Sequence, residues 1–368
     1  MRTGLSIYLK VFSFLALGLL LALGVHLALF VMRAPSGVKE IREVLVPEGA
    51  SFRSVAAGLE KAGVVSDKET FVVLARLMDV HRKIRAGFYS FHTAMKPFEV
   101  LDMLREGRIV EYQVVLPEGY DLDKTGQAVE DAGLATKAEF LARALDPGYV
   151  RALGLGAETL EGYLFPATYF FPKGMVLDGV IKQMVMKFHE VFNDDLRARA
   201  AELGMSEHQA VTLASLIERE SSVDTERLLI SAVFHNRLRL GIPLQCDPCV
   251  IYALQRRGRW YGDLNRQNLR FKDPYNTYVY RGLPPGPIAN PGKPSIIAAL
   301  YPADVDYIYF VSKNDGTHFF SSSLKEHNRA VREFQVLAKL QNTTSVRPGS
   351  AAEKAAALKA TAAKPAGK

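Results

Sequence analysis

The segment LASLIERESS, Leu213–Ser222, ends an apolar run with two carboxylates, Glu218 and Glu220, flanking Arg219. A carboxyl at the end of a buried helix can do something an exposed one cannot. Burial and the carbonyl end of a helix both favour the protonated form, so the group still carries a proton near neutral pH. An acid of that kind can protonate a departing glycosidic oxygen. The structural alternative is a buried Glu220 paired with an arginine such as Arg237, or a helix end that simply faces water. One glutamate on a helix does not decide between them.

Helical spacing separates the two carboxylates. Ser206 and Gln209 have capping-box spacing, which predicts a helix from Ser206 to Ser221. Leu213, Leu216 and Ile217 then share a face with Glu220, placing it on a large apolar stripe. Glu218 falls with Val211, Ala214, Ser215 and Ser222, a mostly small-residue face. Arg219 falls with Thr212 and Ser215 on the expected solvent side. The spacing makes Glu220 the desolvated carboxylate and Glu218 the less buried one.

The elements around this helix read as mixed α and β. Shifting the chain by about 70 residues superposes VLVPEGASFRSVAAGLEKAGVVSDKET, from Val44, on VVLPEGYDLDKTGQAVEDAGLATKAEF, from Val114. Each copy reads as a β-branched strand, a Pro-Glu-Gly turn, an amphipathic helix stopped by glycine, and a second helix. A boundary follows at Leu153–Ala157, then a helical stretch from Leu177 to Ala201. Farther on, DYIYFV is expected as a strand bounded by Asp306 and Lys313, and a last helix over Leu324–Leu340.

Charge and hydropathy place the chain. Val11–Met32 carries no formal charge and is interrupted only by Ser13, Gly18, Gly24 and His26. It is long enough to cross a bilayer as a helix, and longer than a secretory apolar region, so an uncleaved anchor is expected. A short head followed by a large body predicts the head inside and the body outside. The net charge of +7 is concentrated in the Ala/Lys-rich tail, where Arg347, Lys354, Lys359, Lys364 and Lys368 face only Glu353. The rest is nearly balanced, so the basic pI is no nucleic-acid signature, and the tail reads as low complexity. Cys246 and Cys249 stand as CDPC without a second ligand pair, which reads as two buried thiols or a short structural bridge. His318 and His327 lack HExxH spacing and an evident third ligand, so neither a metal nor a cofactor is expected.

The blocks LEGYLFPATY, LASLIERES, VFHNRLRLGIPLQCDPCVIYAL, DPYNTYVYRGLPPGPIANPGKPSIIAAL and YIYFVSKNDGTHFFSSSLKEHNRAV occur in this order. Together they resemble the endolytic murein transglycosylases, the YceG-like family, from the anchor to about Leu340. The resemblance implies an α+β chain: a head (1–10), a transmembrane helix (11–32), a duplicated LysM-like region (38–155), a catalytic domain (156–342) and the tail (343–368). It implies a single-pass protein of the bacterial inner membrane whose outer body cuts peptidoglycan glycan strands internally, limits nascent strand elongation and meets peptidoglycan synthases (penicillin-binding proteins). The family's catalytic glutamate precedes a small hydroxyl residue, which maps to Glu220 before Ser221, with Glu218 as the alternative. One departure is visible. Cys246 and Cys249 replace hydroxyl residues around the Asp-Pro pair.

The implied chemistry is lytic: one carboxyl protonates the oxygen between N-acetylmuramic acid and N-acetylglucosamine, then takes the proton of the muramyl C6 hydroxyl as a 1,6-anhydro ring closes. The polar residues expected to support it are Asn236, Gln245, Asp247, Asn276 and Tyr278. Each also reads as turn chemistry or packing. Two other functions remain open: a muramidase in which Glu218 or Asp247 assists water, and a noncatalytic wall-binding scaffold.

Overall fold

Local sequence sets most of the elements in the computed structural model, which describes residues 2–82 and 84–337. The chain opens with α1, Arg2–Met32, whose segment Leu9–Met32 is long and apolar enough to cross a membrane. Then come β1 (Ile41–Val46), α2 (Phe52–Lys61), α3 (Lys68–Leu77), β2 (Gly87–His92), α4 (Pro97–Glu106) and β3 (Glu111–Val115). The second copy of the repeat continues with α5 (Leu122–Asp131), α6 (Lys137–Ala144), α7 (Pro147–Ala152) and β4 (Thr168–Pro172). Both copies thus open strand, helix, helix and close on a strand, the second with the extra short helix α7 before it. β1 pairs antiparallel with β2, with Ile41 opposite His92, and β3 pairs with β4. Ser51 and Asp67 cap α2 and α3, and Thr136 caps α6, so the helix starts follow from side-chain oxygens accepting backbone N–H groups.

The chain divides into two compact units. The first comprises Met1–Val114, Asp131–Leu134 and Tyr169–Val180, so it holds the strands of the second repeat while most of its helices fall in the other unit. Its core is built from one face of β1 and β2 (Val44, Val46, Tyr89, Phe91) and the apolar faces of α2, α3 and α4 (Leu59, Phe71, Leu101). Phe30, in the last turn of α1, belongs to the same cluster.

The second unit is mainly helical: α8 (Leu177–Val191, from Ile181 onward), α9 (Asp194–Glu202), α10 (Glu207–Glu220), α11 (Arg227–Arg239), α12 (Asp247–Arg256) and α13 (Lys293–Leu300). An antiparallel hairpin, β5 (Tyr309–Ser312) and β6 (His318–Ser321), precedes α14 (Leu324–Val331) and a π turn over Arg332–Leu337. The expected helix 177–201 is two helices, because Asn193 caps a new start at Asp194. The expected strand begins only at Tyr309, and the Ala/Lys-rich tail lies outside the described residues.

α10 is the axis of this unit. Ser206 and Gln209 form the expected capping box, and Ala210–Ile217 are all buried. The helix packs against α13, α11 and α12, so it has no solvent side between Ala210 and Ile217. Thr212 and Ser215, expected to face water with Arg219, are instead buried: Ser215 Oγ donates to Thr212 and accepts from the Ile288 N–H at 3.0 Å.

Candidate active site

The final turn of α10 delivers its two glutamates to the starts of two other helices. Glu218 reaches Gly292, the N-cap of α13, whose N–H donates to Oε2 at 3.0 Å. Its Oε1 accepts from Arg227 Nη1 at 3.2 Å, and the Glu218 side chain is only 6% exposed. Arg227 also donates to Ser295 and pairs with Asp224, while Glu118 lies 3.9 Å away. Burial and the charge of Glu218 raise Glu118 above the usual carboxylate range. The sequence expectation for Glu218 therefore needs correction. It is deeply buried and ion-paired, because its partners come from α11 and from the start of α13.

Glu220 has the opposite electrostatics. Among the described residues it makes no ion pair, and Arg237, the suggested structural partner, is engaged elsewhere. Arg237 donates to the carbonyls of Ile308, Pro243 and Leu244 and to Gln245 Oε1. Burial pushes the Glu220 carboxyl up to about 7, with the nearby Asp247 charge adding to the rise. The Cys246 thiol and the Asp247 backbone N–H hydrogen-bond the carboxylate and oppose it. Those two donors are the N-cap and first residue of α12, so Glu220 sits at a helix N-terminus with too little compensation to stay ionised below neutrality.

The loops before α12 and around Thr277 fix this arrangement. Gln245 adopts a left-handed backbone, φ 54°, and its N–H donates to the Thr277 carbonyl at 3.1 Å. The Cys246 N–H donates to Thr277 Oγ1 at 2.9 Å. Tyr278 donates its hydroxyl to Asp247 Oδ1 at 2.5 Å, and burial with that bond raises the phenol well above its ordinary range. Cys246 and Cys249 are free, buried thiols, and burial with the Cys249 contact raises Cys246.

The expected residues separate into two groups. Gln245, Asp247 and Tyr278 surround Glu220's helix terminus, and Gln245 and Asp247 are exposed there. Asn236 and Asn276 are not free to meet a ligand through their amides. Asn236 Nδ2 donates to the Val305 and Tyr307 carbonyls, and buried Asn276 donates to Leu269 and Phe271 while accepting from Tyr278 N–H. The histidines also diverge: His318 bonds Glu226, whereas His327 stacks on Tyr309. Sequence reasoning missed Arg227, Glu118 and Thr277 as supports. The Pro-Glu-Gly repeat was a signal for Glu118 alone.

A second proton-bearing carboxyl lies elsewhere in the unit. Glu161, within LEGYLFPATY, is 4% exposed and raised to about 8 by burial and the Asp121 charge. Its Oε2 accepts from Leu122 N–H and the Tyr252 hydroxyl. Gly162 beside it needs to be glycine: φ is +88°, and a Cβ would lie 2.5 Å from Pro287.

Fold and site define an α+β protein with, among the described residues, one spanning-length apolar helix and a desolvated carboxyl held at a helix N-terminus. The chain belongs to the YceG-like family, whose model matches residues 44–333. It is 32% identical over 308 residues to the endolytic murein transglycosylase of Bacillus subtilis (strain 168), covering 78% of this chain and 83% of that protein. The protein of the same description in Streptococcus pneumoniae (strain ATCC BAA-255 / R6) is 27% identical over 327 residues, and that match spans 80% of this chain but 58% of the relative. A crystal structure of a YceG-like protein from Listeria monocytogenes aligns with a TM-score of 0.55 at 32% identity, over 79% of this chain and 98% of the other. The resemblance read from the sequence blocks is borne out.

Proposed function

We propose that Glu220 is the acid and base of a peptidoglycan-cleaving lytic transglycosylase, as the names of the relatives suggest. The carrying observation is its carboxyl, desolvated to about 7 and without an ion pair, two residues from a glutamate that is fully paired. The protonated Glu220 donates to the oxygen between N-acetylmuramic acid and N-acetylglucosamine. The bond breaks toward an oxocarbenium-like state, and the conjugate base then removes the C6 hydroxyl proton as that oxygen closes on C1. Water does not enter the balance, so a second catalytic carboxylate is unnecessary. Gln245, Asp247 and Tyr278 supply polar contacts to the sugar at the α12 start, and Asn236 and Asn276 hold the loops that carry them.

The two strand–helix–helix repeats serve as LysM-like holders of an extended glycan. α1 anchors the chain, with residues 1–10 inside and the body facing the wall, where peptidoglycan synthases are its expected company. Mass spectrometry of products from purified, peptide-free glycan strands tests the reaction. Anhydromuramyl ends are expected. Reducing ends, one water heavier, would replace this reading by hydrolysis, and an inert purified protein would favour a scaffold.

A further inference from the structure

A cavity of about 690 Å³ lies in the second unit, away from Glu220, which is not among its lining residues. Its walls come from the start of α5 (Asp121, Lys124), from Leu141 of α6, from Glu161, from Tyr252 in the second half of α12 and from Trp260 just beyond that helix. The size and the mixture of apolar walls with a few polar groups suit a small organic moiety. Glu161 is the unusual member. Its Oε1 is buried without a hydrogen-bond partner, although Oε2 has two. A buried polar atom left unmatched in this way calls for a physical reason, and a ligand group in the cavity supplies one.

The chemistry of the walls defines the ligand. Asp121 and Asp123 are balanced by Lys124 and Arg256, so with Glu161 protonated the lining favours no net charge. Carboxylates, Gln255 and a neutral carboxylic acid offer both acceptors and a donor, which matches hydroxyl and acetamido groups. Trp260 and Tyr252 add flat apolar surface with polar edges. That combination fits the face and rim of a neutral amino sugar better than an anionic peptide end. α12 joins this cavity to the Glu220 site: Cys246 and Asp247 begin the helix, and Tyr252, Gln255 and Arg256 lie in its second half. Ten residues of helix span about 15 Å, the length of a few sugar residues.

We infer that this cavity is a distal glycan subsite, in which Trp260 stacks on an N-acetylated sugar of the strand being cut and Glu161 hydrogen-bonds its polar rim. The inference rests on the proposed substrate class but not on the reaction. Trp260 is the chain's single tryptophan, so its emission reports on the cavity alone.

The test uses the full-length, detergent-solubilised chain carrying Glu220→Gln, titrated with peptide-free glycan strands. A saturable change in Trp260 emission is expected, with a much weaker response to a disaccharide. By calorimetry, Trp260→Ala in that background should bind strands about tenfold more weakly, whereas Trp260→Tyr should stay within about twofold. Glu161→Gln keeps a neutral donor at every pH, so it should match its parent at pH 6 and bind more tightly than it at pH 9. Strand binding seen by calorimetry with unchanged Trp260 emission would overturn the subsite, as would a response to free stem peptide but not to glycan. Reducing ends from the wild-type chain beside an intact Trp260 response would support the subsite while refuting the lytic reaction.

Discussion

Replacing each glutamate at the end of α10 by glutamine should move stability in opposite directions. In Glu220→Gln the amide keeps the size of the side chain and removes a charge that the fold desolvates. The folded carboxyl titrates near 7 against an ordinary value of 4.5, so the native state binds this proton more tightly than the unfolded chain. Native stability from this group is therefore full below pH 4.5, falls as pH rises toward 7, and stays low above it. At about 1.4 kcal/mol per pH unit, the ionised group costs about 3 kcal/mol at pH 8, and glutamine should recover most of that there and almost nothing at pH 4.5. Glu218→Gln instead leaves Arg227 facing a neutral amide. Breaking a buried pair costs about 3–5 kcal/mol, and the remaining Asp224 and Glu118 contacts should reduce the loss to about 2 kcal/mol at pH 8. Urea unfolding followed by Trp260 emission at pH 4.5 and 8 measures both variants. Turnover should fall by about 100- to 10,000-fold in Glu220→Gln, and the wild-type rate should decline above pH 7 as the acid loses its proton. Destabilisation of Glu220→Gln at pH 8, or an unimpaired rate in that variant, would refute the reasoning. A greater loss of chemistry in a folded Glu218→Gln would move the catalyst to Glu218.

Cys246→Ala removes a donor to the Glu220 carboxylate, so the alkaline limb of the pH–rate profile should move upward, while Cys246→Ser should leave it in place; identical profiles for the two variants would show that the thiol bond has no influence. Asn276→Ala leaves the Leu269 and Phe271 carbonyls unmatched and should cost about 1–3 kcal/mol in urea unfolding without changing the product. A variant of full stability with impaired glycan binding would instead return Asn276 to the substrate.

What could be seen in the sequence was local or periodic. The Ser206–Gln209 capping box fixes the start of α10 through contacts three residues apart, and the 70-residue repeat carries its strand–helix–helix order with it. The desolvation of Glu220 was legible from its phase, though for an incomplete reason: α10 is enclosed on every side over Ala210–Ile217, so phase alone could not rank its two carboxylates. Their difference is tertiary. Glu218 is paired by Arg227 and by the Gly292 N–H, which stands 74 residues farther along the chain. Residue type likewise suggested Asn236 and Asn276 as sugar contacts, because an amide that meets a ligand and one that holds a loop carbonyl are identical in sequence. Glu161 gave no periodic signal; only folding brings α5 and α12 to either side of it.

The placement of Phe30 bears on how the body is carried. The last turn of α1 is part of the first unit's core, with Leu27 and Val31 packed against it and His26 bonded to Thr70. Those engaged side chains are turned from any lipid, and the helix free of such contacts, Leu9–Val25, is about 17 residues or about 26 Å long. That is near the minimum for a span. Were α1 to cross a bilayer, it would act as a rigid stalk in place of a leash, holding the first unit near the surface at a height set by helix geometry. Tilting of the span in the bilayer would turn the unit with it, and inserting a flexible spacer after Met32 would not free the unit, because the grip lies before that point.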